Sequence, residues 1–265
     1  MLSIKNLTTG YGKKEIIHDV TFTVGEGEFL GVIGPNGSGK TTLLKCINHI
    51  IKPFSGTVQL DGNNLQELER KHIAKIVGVV PQITNIQYDF TVQQIIMMGR
   101  YSHQDGFYES EKDKKIVEKS MILTNITHLK NRFVTELSGG EFQKVMIARA
   151  LSQKPRILLF DEPTAHLDIS GQYNILQLTK RLKNEEKLSV VSVFHDLNLA
   201  SQFSDKILML DKGKIVQIGK PIDVLTENNI KKVYNIYSKI ETHPITKRLQ
   251  ITYLPDITIK EKLSL

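Results

Sequence analysis

Apolar and polar residues alternate through LSIKNLTTGY and IIHDVTFTV, then run apolar through EFLGVI before breaking into glycines. Period-two alternation marks half-buried strands and an unbroken apolar run marks a strand covered on both faces, which predicts an antiparallel β piece followed by a buried central strand. TTLLKCINHI carries helical spacing, GTVQLDG reads as a strand with its turn, and IVGVVPQ as a short apolar strand ending at proline. From Thr91 to about Ser152 the strand signal vanishes: TVQQIIMMGR, SEKDKKIVEKSMI and SGGEFQKVMIARALSQ repeat apolar residues at three and four. This predicts a helical insert over about 91–152, with LSGGE opening its last helix. RILLFDEP and LSVVSVFHD return to continuous apolar runs, each followed by a helical stretch, so the core is expected to be α/β with a parallel sheet. KILMLDKGKIVQIG predicts a hairpin turning at Asp211–Gly213. A polar helix at ENNIKKVY follows, then a last hairpin of KIETH and LQITYL about HPITKR, dividing the chain into residues 1–237 and an extension at 238–265.

Where a buried strand hands over to a helix, the chain reads Gly34-Pro35-Asn36-Gly37-Ser38-Gly39-Lys40-Thr41-Thr42. Glycines there let successive backbone N–H groups face phosphate oxygens, and the helix N-terminus adds its positive end. Lys40 is placed to reach the β and γ phosphates and Thr41 to offer a hydroxyl to Mg²⁺. ILLFDE supplies carboxylates at a strand end: Asp161 to hold Mg²⁺ through water and Glu162 to polarise an attacking water. Adjacent acids on a strand point to opposite faces, so the two are expected to differ in role.

Four further residues are candidates on weaker grounds. His195 and Gln82 both end apolar strands, where an imidazole can bond a γ-phosphate or its attacking water and an amide can touch Mg²⁺ or water. Taken alone, each reads more simply as a satisfied strand-end side chain. Tyr11 offers a ring face to a purine or is a half-buried aromatic, and Asp168 serves a site or caps a helix. Cys46, Met97 and Met98 occupy apolar helical positions expected to be packing, and KHIAK is a solvated helix face.

At 265 residues and 40% apolar content the chain is long enough to bury a real core. Its net charge of +7 suits an anionic partner such as a nucleotide, a nucleic acid or an acidic lipid leaflet, and equally suits plain solubility. One cysteine forms no internal disulfide, which points to a reducing cytoplasm. The longest apolar runs fall far short of the roughly 20 residues that span a bilayer, so any membrane work is expected to need another chain.

In this order, Tyr11, the loop at 34–41, Gln82, LSGGE at 137–141, ILLFDE at 157–162, HLD at 166–168 and His195 resemble the ATP-binding cassette (ABC) ATPases over about residues 1–220. LSGGE is that family's own signature and is far more specific than the phosphate loop. The resemblance implies a P-loop NTPase fold of ABC type, with an antiparallel β subdomain and a helical subdomain, using ATP and Mg²⁺. It also implies head-to-tail pairing in which Ser138, Gly139 and Gly140 of one cassette face the phosphate loop of the other. By the same resemblance Tyr11 stacks on adenine, Gln82 couples nucleotide to a transmembrane permease, Asp168 communicates across the dimer, Glu162 is the catalytic base and His195 the γ-phosphate switch.

MGRYSH at 98–103, PTAHLD at 163–168 and HDLNLA at 195–200 are similar to phrases in importer ATPases for iron-siderophore, haem and cobalamin. That implies a peripheral subunit on the cytoplasmic face of the membrane, a homodimer bound to permease subunits and served indirectly by an extracytoplasmic binding protein, with no nucleic acid partner. Glu141-Phe142 departs from the Gln-Arg common in those cassettes. The rival expectations are a soluble ABC protein working on ribosomes, DNA or iron–sulfur assembly, and a small-molecule kinase, which leaves LSGGE unexplained.

Overall fold

The computed structural model describes residues 1–82, 86, 88–103, 110–165 and 167–255. Strands β1 (Leu2–Tyr11) and β2 (Lys14–Val24) form the expected antiparallel pair, turning at Gly12, whose φ of 58° suits a residue without Cβ. Strand β3 (Phe29–Ile33), buried at every position, leads through the glycine loop into helix α1 (Lys40–Ile47). Strands β4 (Pro53–Leu60) and β5 (Asn63–Asn64) complete a four-stranded sheet of order β2-β1-β4-β5. Helix α2 (Arg70–Ile76) then precedes β6 (Val77–Val80).

The insert is helical as expected, with α3 (Val92–Met98), α4 (Glu111–Leu123) and α5 (Gly139–Ser152), plus one isolated bridge from Thr91 to Phe133. Each helix begins on a hydroxyl N-cap: Thr91, Ser110 and Ser138 all make capping boxes with the residue three further on. After it come β7 (Ile157–Phe160), α6 (Ile169–Glu185), β8 (Ser189–Val193), α7 (Leu197–Phe203), β9 (Lys206–Asp211) and β10 (Lys214–Gly219). Lys212 and Gly213 have φ of 46° and 76°, the backbone a two-residue hairpin requires, so the turn falls where the sequence placed it. Helices α8 (Pro221–Val224) and α9 (Glu227–Tyr234) lead to the last hairpin, β11 (Tyr237–Thr242) and β12 (Leu249–Leu254). The part of the extension at 256–265 lies outside the described residues.

The main sheet has order β10-β9-β3-β8-β7-β6 and is parallel except at its β10 edge. Because side chains alternate along a strand, it feeds two cores. Leu30, Val32, Ile157, Leu159, Val191 and Val193 pack toward α1 and the antiparallel sheet. Phe29, Ile33, Leu158, Phe160 and Val190 pack toward the helices of the other side. This two-sided burial is the reason these strands read as unbroken apolar runs.

Within the insert, Arg100 is 3% exposed and its Nε donates to Asp113 Oδ1 at 2.8 Å while Nη1 donates to Ser152 O at 2.5 Å. Asp113 also accepts from Ser110 Oγ at 2.6 Å, so one ion pair ties the end of α3, the start of α4 and the end of α5. Met97 and Cys46 are packed as expected, but Met98 is 46% exposed: it closes α3, and its side chain falls on the outward side of that last turn. Among the described residues no helix is long and apolar enough to cross a membrane.

Candidate active site

Strands β3, β8, β7 and β6 lie side by side and parallel, so their carboxyl ends line one edge of the sheet across about 14 Å, three strand spacings. Every residue expected from a strand end is delivered there. The glycine loop follows β3, Gln82 follows β6, Asp161 and Glu162 follow β7, and His195 follows β8. The chain crosses from β8 over β3 to β9, so the loop sits at the point where strand order reverses, the crevice in which open α/β sheets take their ligands.

The glycine loop is a cradle that side chains would fill. Gly34, Gly37 and Gly39 have φ of 151°, 77° and 102°. A Cβ on Gly34 would lie 2.2 Å from Leu210 O, and one on Gly39 would lie 2.5 Å from Ile17 Cδ1. The space above them is a cavity of about 290 Å³ lined by Asn36, Gly37, Gly39, Lys40, Thr41, Thr42 and Glu162, together with Ile16 from β2. Ser38 Oγ is buried without a hydrogen-bond partner among the described residues, and Ser38 N donates to Pro35 O at 3.2 Å, closing the loop on itself. Lys40 is 6% exposed, and its Nζ donates to Gly34 O and Pro35 O at 2.8 and 3.0 Å. Burial lowers its pKa, with the charges of Glu162 and Asp161 opposing that shift. A buried ammonium hydrogen-bonded to two neutral carbonyls is a site for polyanionic phosphate.

Thr41 Oγ1 donates to Asp161 Oδ1 at 3.0 Å. Burial raises the Asp161 pKa, the Thr41 hydrogen bond works against it and the neighbouring Glu162 charge adds to it. This hydroxyl and carboxylate fit Mg²⁺, which takes few protein ligands and several oxygens from phosphate and water. Among the described residues no group of three or more His, Cys, Asp or Glu is placed to hold a metal ion.

The two acids do not behave as neighbours on a strand. Strand β7 stops at Phe160, and Glu162 has a φ of 54°, in the left-handed region that non-glycine residues rarely enter. The turn brings Glu162 to the wall of the phosphate cavity. Gln82 Nε2 donates to Glu162 Oε2 at 2.5 Å, and His195 Nε2 pairs with Glu162 Oε1. Gln82 and His195, each weak alone, thus meet at one carboxylate. Strained backbone of this kind costs about 1–3 kcal/mol and is kept where the surroundings over-determine it.

The remaining candidates lie apart from that cluster. Tyr11 is 46% exposed, with Lys45 Nζ 5.8 Å from its ring centroid. Ser138, the N-cap of α5, donates from Oγ to Glu141 Oε2 at 2.7 Å, and this holds the Glu141 carboxyl below its ordinary range. Gly139 packs toward Leu167, Gly140 has open space on its Cβ side, and none of the three lines the phosphate cavity. Asp168 caps α6, accepting from Gly171 N at 2.7 Å; His166 of HLD lies outside the described residues. Sequence reasoning missed Ile16, which alternation alone marks as one more half-buried strand residue. It also missed Arg149, a half-buried cation on α5 with no hydrogen bond or ion pair among the described residues.

Residues 17–165 match the pattern of the ABC transporter family. The chain belongs to the ABC transporter family. Membership makes it an ATP-binding cassette. YvrA of Bacillus subtilis (strain 168), an uncharacterized ABC transporter ATP-binding protein, is 40% identical over 257 residues, covering 96% of this chain and 58% of its own length. The cobalamin import ATP-binding protein BtuD of Halobacterium salinarum is 36% identical, covering 97% of the cassette and 64% of its own length. The cassette therefore spans about three fifths of these two relatives. The ferric enterobactin transport ATP-binding protein FepC of Escherichia coli (strain K12) is 38% identical over 91% of the cassette and 89% of its own length. Among solved structures, a metal-chelate type ABC transporter in an inward-facing conformation superposes with a TM-score of 0.84 at 27% identity, covering 97% of this chain and 98% of that one. The dimeric ATP-binding cassette MJ0796 bound to ADP and Pi gives 0.72 at 32% identity, covering 83% and 99%.

Proposed function

We propose that this cassette hydrolyses ATP as one of a pair and powers uptake of a metal chelate, of the iron-siderophore, haem or cobalamin class, through a separate membrane permease. The observation that carries the hydrolytic reading is the meeting of Gln82, Glu162 and His195 beside a glycine cradle holding Lys40 and Thr41. Glu162, a carboxylate at the cavity wall, polarises the water that attacks the γ-phosphorus. His195 and Gln82 fix that carboxylate and contact the water or the phosphate oxygens. Lys40 exchanges its two carbonyl partners for phosphate oxygens, a stronger charge-assisted pairing. Thr41 and Asp161, with Gln82 at the edge, would hold Mg²⁺, whose contribution is to neutralise charge building on the phosphates.

Ser138, Gly139 and Gly140 fit a role in trans. They sit at a helix N-terminus, Ser138 and Gly139 exposed and Gly140 half-buried, able to donate to phosphate, yet stand off their own chain's cavity. Pairing two such chains head to tail completes both sites, with Asp168 and the 87%-exposed Ile169 beside the signature loop at the junction. Tyr11 takes the adenine. A cleft of about 450 Å³ between α1, α2, α3 and α5, with exposed Ile50 and Met98 at its rim and Arg149 inside, is assigned to the permease. On this reading the cassette works at the cytoplasmic face of the membrane. The substrate class rests on the FepC and BtuD relatives and the metal-chelate transporter.

The test is Glu162→Gln in the full chain. It is expected to bind ATP, lose most hydrolysis and accumulate a nucleotide-containing dimer on gel filtration, whereas Lys40→Ala loses ATP binding. A Glu162→Gln protein that stays monomeric and hydrolyses normally would remove Glu162 from the mechanism. Association with ribosomes or DNA at physiological salt, with no dependence on a permease in the membrane, would overturn the transport reading.

A further inference from the structure

The segment after the main sheet touches both phosphate-handling loops from behind. Helix α7 starts two residues after His195, capped by Asp196, whose Oδ1 accepts from Asn198 N at 2.7 Å and Leu199 N at 3.0 Å. Asp196 leaves the first N–H of the helix, that of Leu197, for another acceptor; the Tyr253 hydroxyl of β12 lies close to the Leu197 backbone and beside the Asp196 charge. Asn198 grips the same strand with both ends of its amide: Nδ2 donates to Ile251 O at 3.1 Å and Oδ1 accepts from Ile251 N at 2.7 Å. One turn on, Ser201 Oγ donates to Leu249 O at 3.2 Å. At the other loop, the Tyr234 hydroxyl of α9 lies close to the backbone of Gly34, where the glycine cradle begins.

These contacts decide where α7 sits. At seven residues it is far too short to hold a shape alone, so its direction is set by what it packs against. An amide that satisfies both backbone groups of Ile251 acts as a strand partner would, fixing distance and rotation together. Ile251 is itself 4% exposed and part of the main core, so the hairpin is anchored on one side and grips α7 on the other. His195, half exposed, has the end of β8 before it and the cap of α7 after it, so movement of α7 shifts its imidazole against Glu162.

We infer that the α9–β11–β12 segment is a brace that sets the position of His195, and that Asn198 and Tyr253 are positioning residues for ATP hydrolysis. The inference rests on the proposed role of His195 at the γ-phosphate. A displacement of about 1 Å in a catalytic group costs on the order of a hundred-fold in rate, so loss of the grip is read in turnover rather than in binding.

The experiment compares Asn198→Leu and Tyr253→Phe, each in the full chain with native His195 and with His195→Ala, by single-turnover hydrolysis of labelled ATP, ATP affinity and a urea midpoint. Tyr253→Phe removes one hydroxyl and keeps the ring, so it remains informative should Asn198→Leu fold poorly. The expected result is a rate roughly ten-fold lower or more with ATP affinity within about two-fold, and no further loss when His195 is already alanine. Losses that multiply with that of His195→Ala, or rates unchanged by both variants, would overturn the brace and leave the ATPase reading intact. A His195→Ala protein with undiminished rate, or a native chain without ATPase activity, would instead overturn the reading on which the brace depends.

Discussion

Replacing Asp113 by alanine removes the only carboxylate that is hydrogen-bonded to the buried Arg100 guanidinium among the described residues. What remains for that cation is the carbonyl of Ser152, 2.5 Å from Nη1. Two unit charges about 4 Å apart at an effective dielectric of about 20 attract by about 4 kcal/mol, and removing one partner of a buried pair costs about 3–5 kcal/mol. Ser110 also loses the reciprocal half of its capping box, worth about 1 kcal/mol. Asp113→Ala is therefore expected to lose about 4–6 kcal/mol, a large share of the 5–15 kcal/mol typical of a folded domain. The double variant Arg100→Met/Asp113→Leu buries no charge and is expected within about 1–2 kcal/mol of the native chain. Urea unfolding followed by circular dichroism measures both, and hydrogen exchange in α3, α4 and α5 tells whether the insert opens first. A double variant as unstable as the single, or an Asp113→Ala chain within about 1 kcal/mol of native, would refute the argument from an orphaned charge. Acid gives an independent reading. Burial alone would raise the Asp113 pKa, but hydrogen bonds from Ser110 and Arg100 and the Arg100 charge outweigh it and hold the carboxyl below its ordinary value. The unfolded chain then takes up its proton first as pH falls, so this stability is complete above the ordinary carboxylate pKa and drains away below it.

Cys46 is 2% exposed and burial pushes its thiol up to about 11, so a thiol reagent at pH 8 is expected to leave the native chain at least a hundred-fold slower to react than the urea-unfolded one. Because the unfolded thiol ionises first, its contribution to stability falls as pH rises from about 9 toward 11, measurable as a declining urea midpoint. Gly34→Ala sets a Cβ 2.2 Å from Leu210 O at a φ of 151°, and equilibrium dialysis is expected to find no ATP bound; native affinity would mean the loop has another shape when loaded.

What could be read from the residues was whatever local pattern decides. The glycine loop, the buried strands β3, β7 and β8, and the turn at Lys212–Gly213 all follow from spacing within a dozen residues. Illegible were features decided between distant residues. Nothing near Glu162 announces that its backbone leaves the strand, and only the adjacency of β6, β7 and β8 brings Gln82 and His195 to it. Arg100 and Asp113 look like surface charges until the helices fold over them. Asn198 passes as an ordinary helix-start residue, because its partner Ile251 comes 53 positions later. Met98 follows Met97 in one apolar stretch, and only the end of α3 turns it outward.

The place of β3 in the sheet also governs how the chain is made. Its neighbours are β8 and β9, paired Phe29 to Val190 and Leu30 to Lys206, so the central strand waits for partners about 160 to 175 residues further along. At a synthesis rate of about 5–20 residues per second that interval is roughly 10–35 s. Through it, a strand apolar on both faces hangs at the ribosome beside the glycine loop with no sheet to join. The antiparallel sheet of β1, β2, β4 and β5 is complete by Asn64 and provides an early surface against which Leu30 and Val32 collapse. The nascent chain should thus be most vulnerable to aggregation and chaperone capture in mid-synthesis, and substitutions that weaken this early sheet should lower yield more than they lower the stability of the finished protein.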